Sequence, residues 1–202
     1  MSTFDEKART WDTPERRERA EAVAAAIRSA VDLDASMRAI DVGAGTGLLG
    51  LALAGDVGEM VLADPSEGML EVLTEKLATA GPSNASGLRF DLLADKPPPG
   101  RPFDLAVSLL VLHHLVDTRA ALSAIRGLLG SGGRLALADL DTEDGSFHDA
   151  DAEGIHHRGF DRTAITGLAI EAGFIDVRVV TAMTIEREDG TFPVFLVLGR
   201  RP

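Results

Sequence analysis

The run Asp41-Val42-Gly43-Ala44-Gly45-Thr46-Gly47 follows a short apolar stretch and opens a helical one. Glycines at alternating positions permit a tight strand-to-helix turn and let backbone amides approach a ligand beside a helix N-terminus. Asp64 ends the next apolar stretch. A carboxylate there sits over the point where strand order reverses, and it can accept hydrogen bonds from both hydroxyls of a ribose. A glycine turn alone is common, but a glycine turn with an acidic strand end downstream is far more specific. Gly45-Thr46-Gly47-Leu48-Leu49-Gly50 formally matches the dinucleotide fingerprint G-x-G-x-x-G. Asp41 opposes that match, because its carboxylate at the strand end would crowd a pyrophosphate. It suits a ligand that presents an ammonium and a sulfonium.

All five histidines fall in the later half of the chain: His113, His114, His148, His156 and His157. His113 and His114 follow the fourth apolar run, on the ligand-facing edge of a sheet, where either could act as a base near neutral pH. A packing or hydrogen-bonding role is the alternative for each. His148, His156 and His157 lie in a polar stretch that reads either as an exposed loop or as a substrate loop. With Asp149 and Asp151 they could ligate zinc or nickel, but no ligand spacing supports this and no metal is expected. Phe4 and Trp11, two of only nine aromatic residues, precede the core pattern together with Arg16 and Arg17. They read as a lid over a ligand or as a helical cover on the sheet. Arg16 is the candidate to pair with a ligand carboxylate.

These residues need a scaffold. Helical spacing over Glu15–Val31, with Asp12 or Thr13 as cap and Pro14 in the first turn, predicts a first helix. Strands are expected at Met37–Val42, Gly58–Ala63, Gly87–Leu93, Phe103–Leu110 and Gly133–Leu140. Helices are expected over Thr46–Ala54, from cap Ser66 to Ala80, from Asp117 or Thr118 to Leu129, and over Arg162–Ala172. Alternation of this kind means a parallel sheet with right-handed crossovers. Phe174–Ile185 and Thr191–Arg200 flank Glu188-Asp189-Gly190, a hairpin signal that makes the last strand antiparallel. Seven strands result.

The 202 residues carry 20 basic and 32 acidic side chains, net −12, with 45% hydrophobic content. That is a globular profile, and the charge disfavours nucleic acid and anionic membrane as partners. Cysteine is absent, which removes disulfides, thiolate metal sites and cysteine nucleophiles. Tyrosine is absent too, which excludes the tyrosine-dependent short-chain dehydrogenase reading. The charged start Met1–Lys7 is not a signal peptide, and no window reaches 18 apolar residues, so a cytoplasmic protein is expected. Three lysines among twenty basic residues, with abundant alanine, hint at a GC-rich bacterial genome.

Ile40–Gly47 and Asp64–Leu70 resemble the first two motifs of class I S-adenosylmethionine-dependent methyltransferases. Phe103–Leu115 resembles the fourth-strand motif of the small-molecule subgroup that includes ubiquinone/menaquinone-type enzymes. Leu128–Leu135 and Glu171–Val177 look like the following fifth-strand motif and sixth-strand junction, so the likeness covers about residues 36 to 200. It implies a Rossmann-like α/β fold, strand order 3-2-1-4-5-7-6 with strand 7 antiparallel, and helices on both faces. It also implies S-adenosylmethionine as cofactor and S-adenosylhomocysteine as product. By position, Asp41, Gly43 and Gly45 would hold the methionine end, Asp64 the ribose, and Met69 the adenine. Asp91 or Asp95 would take the adenine amine, with Leu92 giving a backbone amide. Leu109, Trp11 and Arg16 complete the expected cofactor set, and His113 and His114 are the catalytic candidates. Residues 1–35 are then a lid or cover, and 36–202 the methyltransferase domain.

The expected activity is methylation of a small-molecule oxygen, carbon or nitrogen by a monomer or homodimer. An Asn-Pro-Pro-Tyr strand end is missing, since Ser108-Leu109-Leu110-Val111 stands there, which argues against nucleic-acid and glutamine amino-methylation. The alternatives are an NAD-linked oxidoreductase and a non-catalytic S-adenosylmethionine-binding protein.

Overall fold

The computed structural model describes residues 3–147, 154–187 and 190–202. A short helix α1 (Thr3–Lys7) leads through a 3-10 turn into α2 (Pro14–Ala30). Then come β1 (Arg38–Val42), α3 (Leu48–Leu53), β2 (Glu59–Asp64), α4 (Glu67–Ala80), β3 (Ala85–Arg89) and β4 (Phe103–Leu109). A second half adds α5 (Thr118–Leu128), β5 (Leu129–Leu140), α6 (Arg162–Glu171), β6 (Ile175–Arg187) and β7 (Gly190–Arg200). Polar caps set the helix starts. Thr13, Ser66, Asp117 and Asp161 each accept a first-turn N–H, which satisfies a donor that the helix itself leaves open.

The seven strands form one sheet in the order β3-β2-β1-β4-β5-β7-β6. Neighbours from β3 to β5 are parallel, while β7 runs antiparallel to both β5 and β6. The β6–β7 ladder closes at Arg187 and Gly190; Glu188 and Asp189 of the expected turn lie outside the described residues. Period-two alternation splits the core between the faces. Ala39, Leu62 and Leu105 join Val23 and Ile27 of α2, Leu49 and Leu53 of α3, and Leu73 of α4. Ile40, Val42, Val61 and Ala106 join Leu122 and Ile125 of α5, and Ile165 and Ala169 of α6. Each fully buried aliphatic side chain of this kind contributes roughly 1.5–3 kcal/mol.

Two strands, β3 and β5, depart from the sequence expectation by more than two residues at one end. β3 starts at Ala85 and ends at Arg89, four residues before Leu93. Its partner β2 stops at Asp64, opposite Arg89, so no ladder remains beyond that point. β5 begins at Leu129, ahead of Gly133, because Leu129 already pairs with Phe103 across an irregularity in the β4 register. The carboxyl ends of β1, β2, β4, β5 and β6 all lie at one edge of the sheet. No helix is long and apolar enough to cross a membrane among the described residues.

Candidate active site

The glycine loop bridges the ends of β1 and β2. Gly43, Gly45 and Gly47 have φ of +71°, +56° and +87°, a conformation that costs other residues about 1–2 kcal/mol. The Gly43 and Ala44 N–H groups both donate to the Ala63 carbonyl, at 2.8 and 3.0 Å. The Gly45 N–H donates to Asp64 Oδ2 at 2.7 Å, and the Ser66 N–H donates to Asp64 Oδ1 at 2.8 Å. Asp64 is therefore fixed in place with acceptor capacity to spare, since a carboxylate offers about four lone-pair directions. Burial pushes its carboxyl above the ordinary range, against the two amide hydrogen bonds that favour ionisation.

Asp41 lies under this loop. The alternation that sends Ile40 and Val42 to the α5–α6 face turns Asp41 toward α3, where its Oδ2 accepts the Gly50 N–H at 2.9 Å. A Cβ at Gly50 would stand 2.2 Å from Leu62 and 3.0 Å from Asp41, so only glycine allows this approach. Asp41 is fully buried, and the desolvation pushes its carboxyl up to about 7.

The segment before α2 packs over the loop. A Cβ placed on Gly45 would come within 3.8 Å of both Trp11 Nε1 and Met69 Sδ. Phe4 meets Trp11 edge-on at 5.9 Å and His114 at 5.2 Å. Asp5 Oδ1 accepts the Ser66 hydroxyl at 2.6 Å and the Gly68 N–H at 3.1 Å. Asp12 accepts the Thr46 hydroxyl and pairs with Lys76, each at 2.5 Å, and with Arg17 at 3.1 Å. Burial alone would raise the Asp12 carboxyl, but these partners hold it below its ordinary value. The Arg16 guanidinium lies 3.9 Å from the Trp11 ring centroid and donates to the Trp11 carbonyl at 3.0 Å.

At the third-strand end, Asp91 folds back on its own turn, accepting the N–H groups of Leu93 and Ala94. Asp95 Oδ2 accepts the Asp91 N–H at 2.8 Å, and the Asp95 N–H returns to the Asp91 carbonyl. The turn's bonds leave the Leu92 N–H out.

At the end of β4, Leu109 is partly buried against the α2-side core and Leu110 adopts φ +57°, strained for a branched side chain. The next side chain, Val111, covers Gly43, where a Cβ would stand 2.6 Å from it. His113 and His114 then diverge. His113 is 1% exposed, and its Nδ1 lies 2.7 Å from Asp139 Oδ1 on β5. Its carbonyl accepts the N–H groups of both His156 and His157. His114 is half-buried, with Nδ1 2.9 Å from the Gly154 carbonyl and its ring against Phe4. His157 Nε2 lies 3.0 Å from the Leu115 carbonyl. His148, Asp149 and Asp151 lie outside the described residues. Among the described residues no group of three or more acidic or histidine side chains could hold a metal ion.

Three contributors escape the sequence reading: Asp139 beside His113, Asp12 on Thr46, and Asp5 on Ser66. Asp139 carried a signal, because it is an acid inside the apolar run Leu135–Leu140. Asp5 sits among other charges and carries none, and Asp12 stands out only as a candidate helix cap.

Residues 40–135 match the family model described as a methyltransferase domain. An uncharacterized methyltransferase of Mycobacterium tuberculosis is 36% identical over 104 residues, 51% of this chain and 50% of that protein. A demethylmenaquinone methyltransferase of Clavibacter sepedonicus is 34% identical over 108 residues, 54% of this chain and 43% of that protein. The chain thus spans about half the length of the curated relatives it matches. A SAM-dependent methyltransferase of Aquifex aeolicus superposes with TM-score 0.73 at 20% identity, covering 98% of both chains. Residues 40–135 are thus similar to methyltransferase domains, and the likeness to the Aquifex aeolicus structure shows the fold.

Proposed function

We propose that this chain is an S-adenosylmethionine-dependent methyltransferase for a small-molecule acceptor. The observation that carries the reading is the Asp64–Gly45 contact, which sets a carboxylate and a glycine loop together at the carboxyl edge of the sheet. The residues fit the cofactor. Asp64 keeps lone pairs for two ribose hydroxyls, and the loop at Gly43 and Gly45 is assigned to the methionine end. Asp41 beneath it favours a nearby ammonium. Met69 and the Leu92 N–H are assigned to the adenine, with Asp91 or Asp95 for its amine and Leu109 along the fourth strand.

When bound, the cofactor supplies a methyl group on sulfonium, activated for in-line displacement. The chain's task is then to align an acceptor and remove its proton, and alignment alone can contribute several kcal/mol. His114 is the better placed base, because it is half-exposed and faces Phe4, whereas His113 is enclosed with Asp139. We assign His113 a positioning role. The segment ahead of α2 serves as a lid, with Trp11 over the loop and Arg16 for the cofactor carboxylate.

The test is release of S-adenosylhomocysteine from S-adenosylmethionine with a panel of hydroxyl, enol and amine metabolites. Equilibrium dialysis against S-adenosylhomocysteine and NAD runs beside it. Acceptor-dependent release supports the reading. Tighter binding of NAD overturns it, and tight S-adenosylhomocysteine binding without turnover points to a non-catalytic binding protein.

A further inference from the structure

Three arginines gather at the carboxyl edge of the sheet beside the candidate site. Arg16 and Arg19 stand one helical turn apart on α2, and Arg187 ends β6. Leu140 and Met183 both pair with Val194, so Arg187 stands past the level at which β5 ends, on a hairpin that walls this edge. The Arg187 guanidinium lies 4.2 Å from the centroid of Phe147 and that of Arg19 lies 5.9 Å from the same ring. Phe147 in turn packs edge-on against Phe192 at 5.2 Å, so the ring is held from the hairpin side.

No carboxylate pairs with Arg16, Arg19 or Arg187 among the described residues, although the chain carries 32 acids. Arg19 Nε is buried and has no hydrogen-bond partner. Arg187 uses Nη1 on the Phe147 carbonyl at 2.5 Å. Burial, then the charges of Arg187 and Arg16, bring the Arg19 guanidinium down to about 10; only the charge of exposed Glu15 opposes this. Like charges gathered around a buried, unpaired donor are unfavourable in themselves. They become favourable when an anion enters, since guanidinium forks match carboxylate and phosphate oxygens. The position is consistent: Arg16 lies on Trp11, and Trp11 lies over Gly45, so the cluster continues outward from the cofactor loop.

We infer that Arg19 and Arg187, which both approach the Phe147 ring, bind an anionic group, carboxylate or phosphate, of the methyl acceptor. The inference rests on the methyltransferase reading and specifies the acceptor's chemical class. It gives the acceptor an anionic end at the hairpin.

The test titrates the 202-residue chain, saturated with S-adenosylhomocysteine, with benzoate, phenyl phosphate and the neutral benzyl alcohol. Calorimetry and Trp11 fluorescence give the readout. At least one anion should bind at least tenfold more tightly than the alcohol. R19Q and R187Q should each weaken that binding at least tenfold and leave S-adenosylhomocysteine affinity within about twofold. The melting temperature of R19Q without anion should equal or exceed that of the parent, because a destabilising charge has been removed. A lowered melting temperature would mark Arg19 as structural and overturn the inference. So would anion binding indifferent to both substitutions, no anion binding at all, or loss of S-adenosylhomocysteine affinity in R19Q and R187Q. If the unaltered chain fails to bind S-adenosylhomocysteine, the underlying methyltransferase reading falls instead.

Discussion

Asp12 Oδ1 accepts the hydroxyl of Thr46 at 2.5 Å, so the segment ahead of α2 is tied to the glycine loop itself. Lys76 strengthens the tie, donating from Nζ to the Thr46 carbonyl and pairing with the other Asp12 oxygen. The segment and the loop are thereby one hydrogen-bonded unit, and disturbing either should disturb the other.

Asp12→Ala should therefore loosen this segment, the proposed lid, from the loop. Losing hydrogen bonds to a partly buried charged group costs about 1–3 kcal/mol, and here that loss falls on the lid's docking. Hydrogen exchange across residues 3–13 should quicken, and Trp11 fluorescence should shift. In the parent chain, added S-adenosylhomocysteine should slow the same exchange. Exchange that ignores both the substitution and saturating ligand would reduce the segment to a fixed cover.

Asp64→Ala should weaken S-adenosylhomocysteine binding by about 10- to 150-fold, the equivalent of roughly 1.5–3 kcal/mol for hydrogen bonds to a charged acceptor. Circular dichroism should remain that of the parent. Unchanged affinity by calorimetry would remove Asp64 from the ribose role.

Asp41 predicts a pH dependence. Its carboxyl is raised from 3.8 to about 7 in the fold, so burial opposes the charged form. The corresponding stability is complete below pH 4 and declines as pH rises through about 7. Asp41→Asn keeps an acceptor for the Gly50 N–H and removes that decline. At pH 8 the variant should be the more stable by up to about 4 kcal/mol, measured by urea denaturation. Binding a ligand with an ammonium favours the ionised carboxylate, so affinity for S-adenosylhomocysteine should rise between pH 6 and 8 in the parent only. Parallel pH profiles for parent and variant would contradict both effects.

The paired histidines should separate in their phenotypes. His114→Ala should slow methyl transfer by tenfold or more with little change in melting temperature, because the ring is half-exposed. His113→Ala should lower stability by about 1–3 kcal/mol, since it leaves the enclosed Asp139 carboxylate without its imidazole partner. The reverse pattern would exchange the assigned roles.

Much of this architecture was legible in residue spacing. The cap Ser66, the caps Thr13 and Asp117 that each stood as one of two candidates, and the glycine loop mark element ends by local chemistry, and local chemistry is written in the chain. The end of β3 was not legible in this way, because it is set by where β2 runs out at Asp64. Asp41 was legible as an acid near a ligand loop, but its direction follows from alternation within β1 and from the space that Gly50 leaves. Arg19 and Arg187 come from opposite ends of the chain, and only the β6–β7 hairpin brings them to one ring. Asp139 reads as the tail of an apolar strand until His113 is placed beside it.

The carbonyl of His113 accepts the N–H groups of His156 and His157, and the Gly154 and Leu115 carbonyls meet His114 and His157 in turn. His156 is thus moored to this turn by its main chain, and His157 by its main chain and its ring together. Main-chain moorings do not depend on which side chain a residue carries. Position 156 can therefore change its side chain while the turn that presents His114 stays where it is.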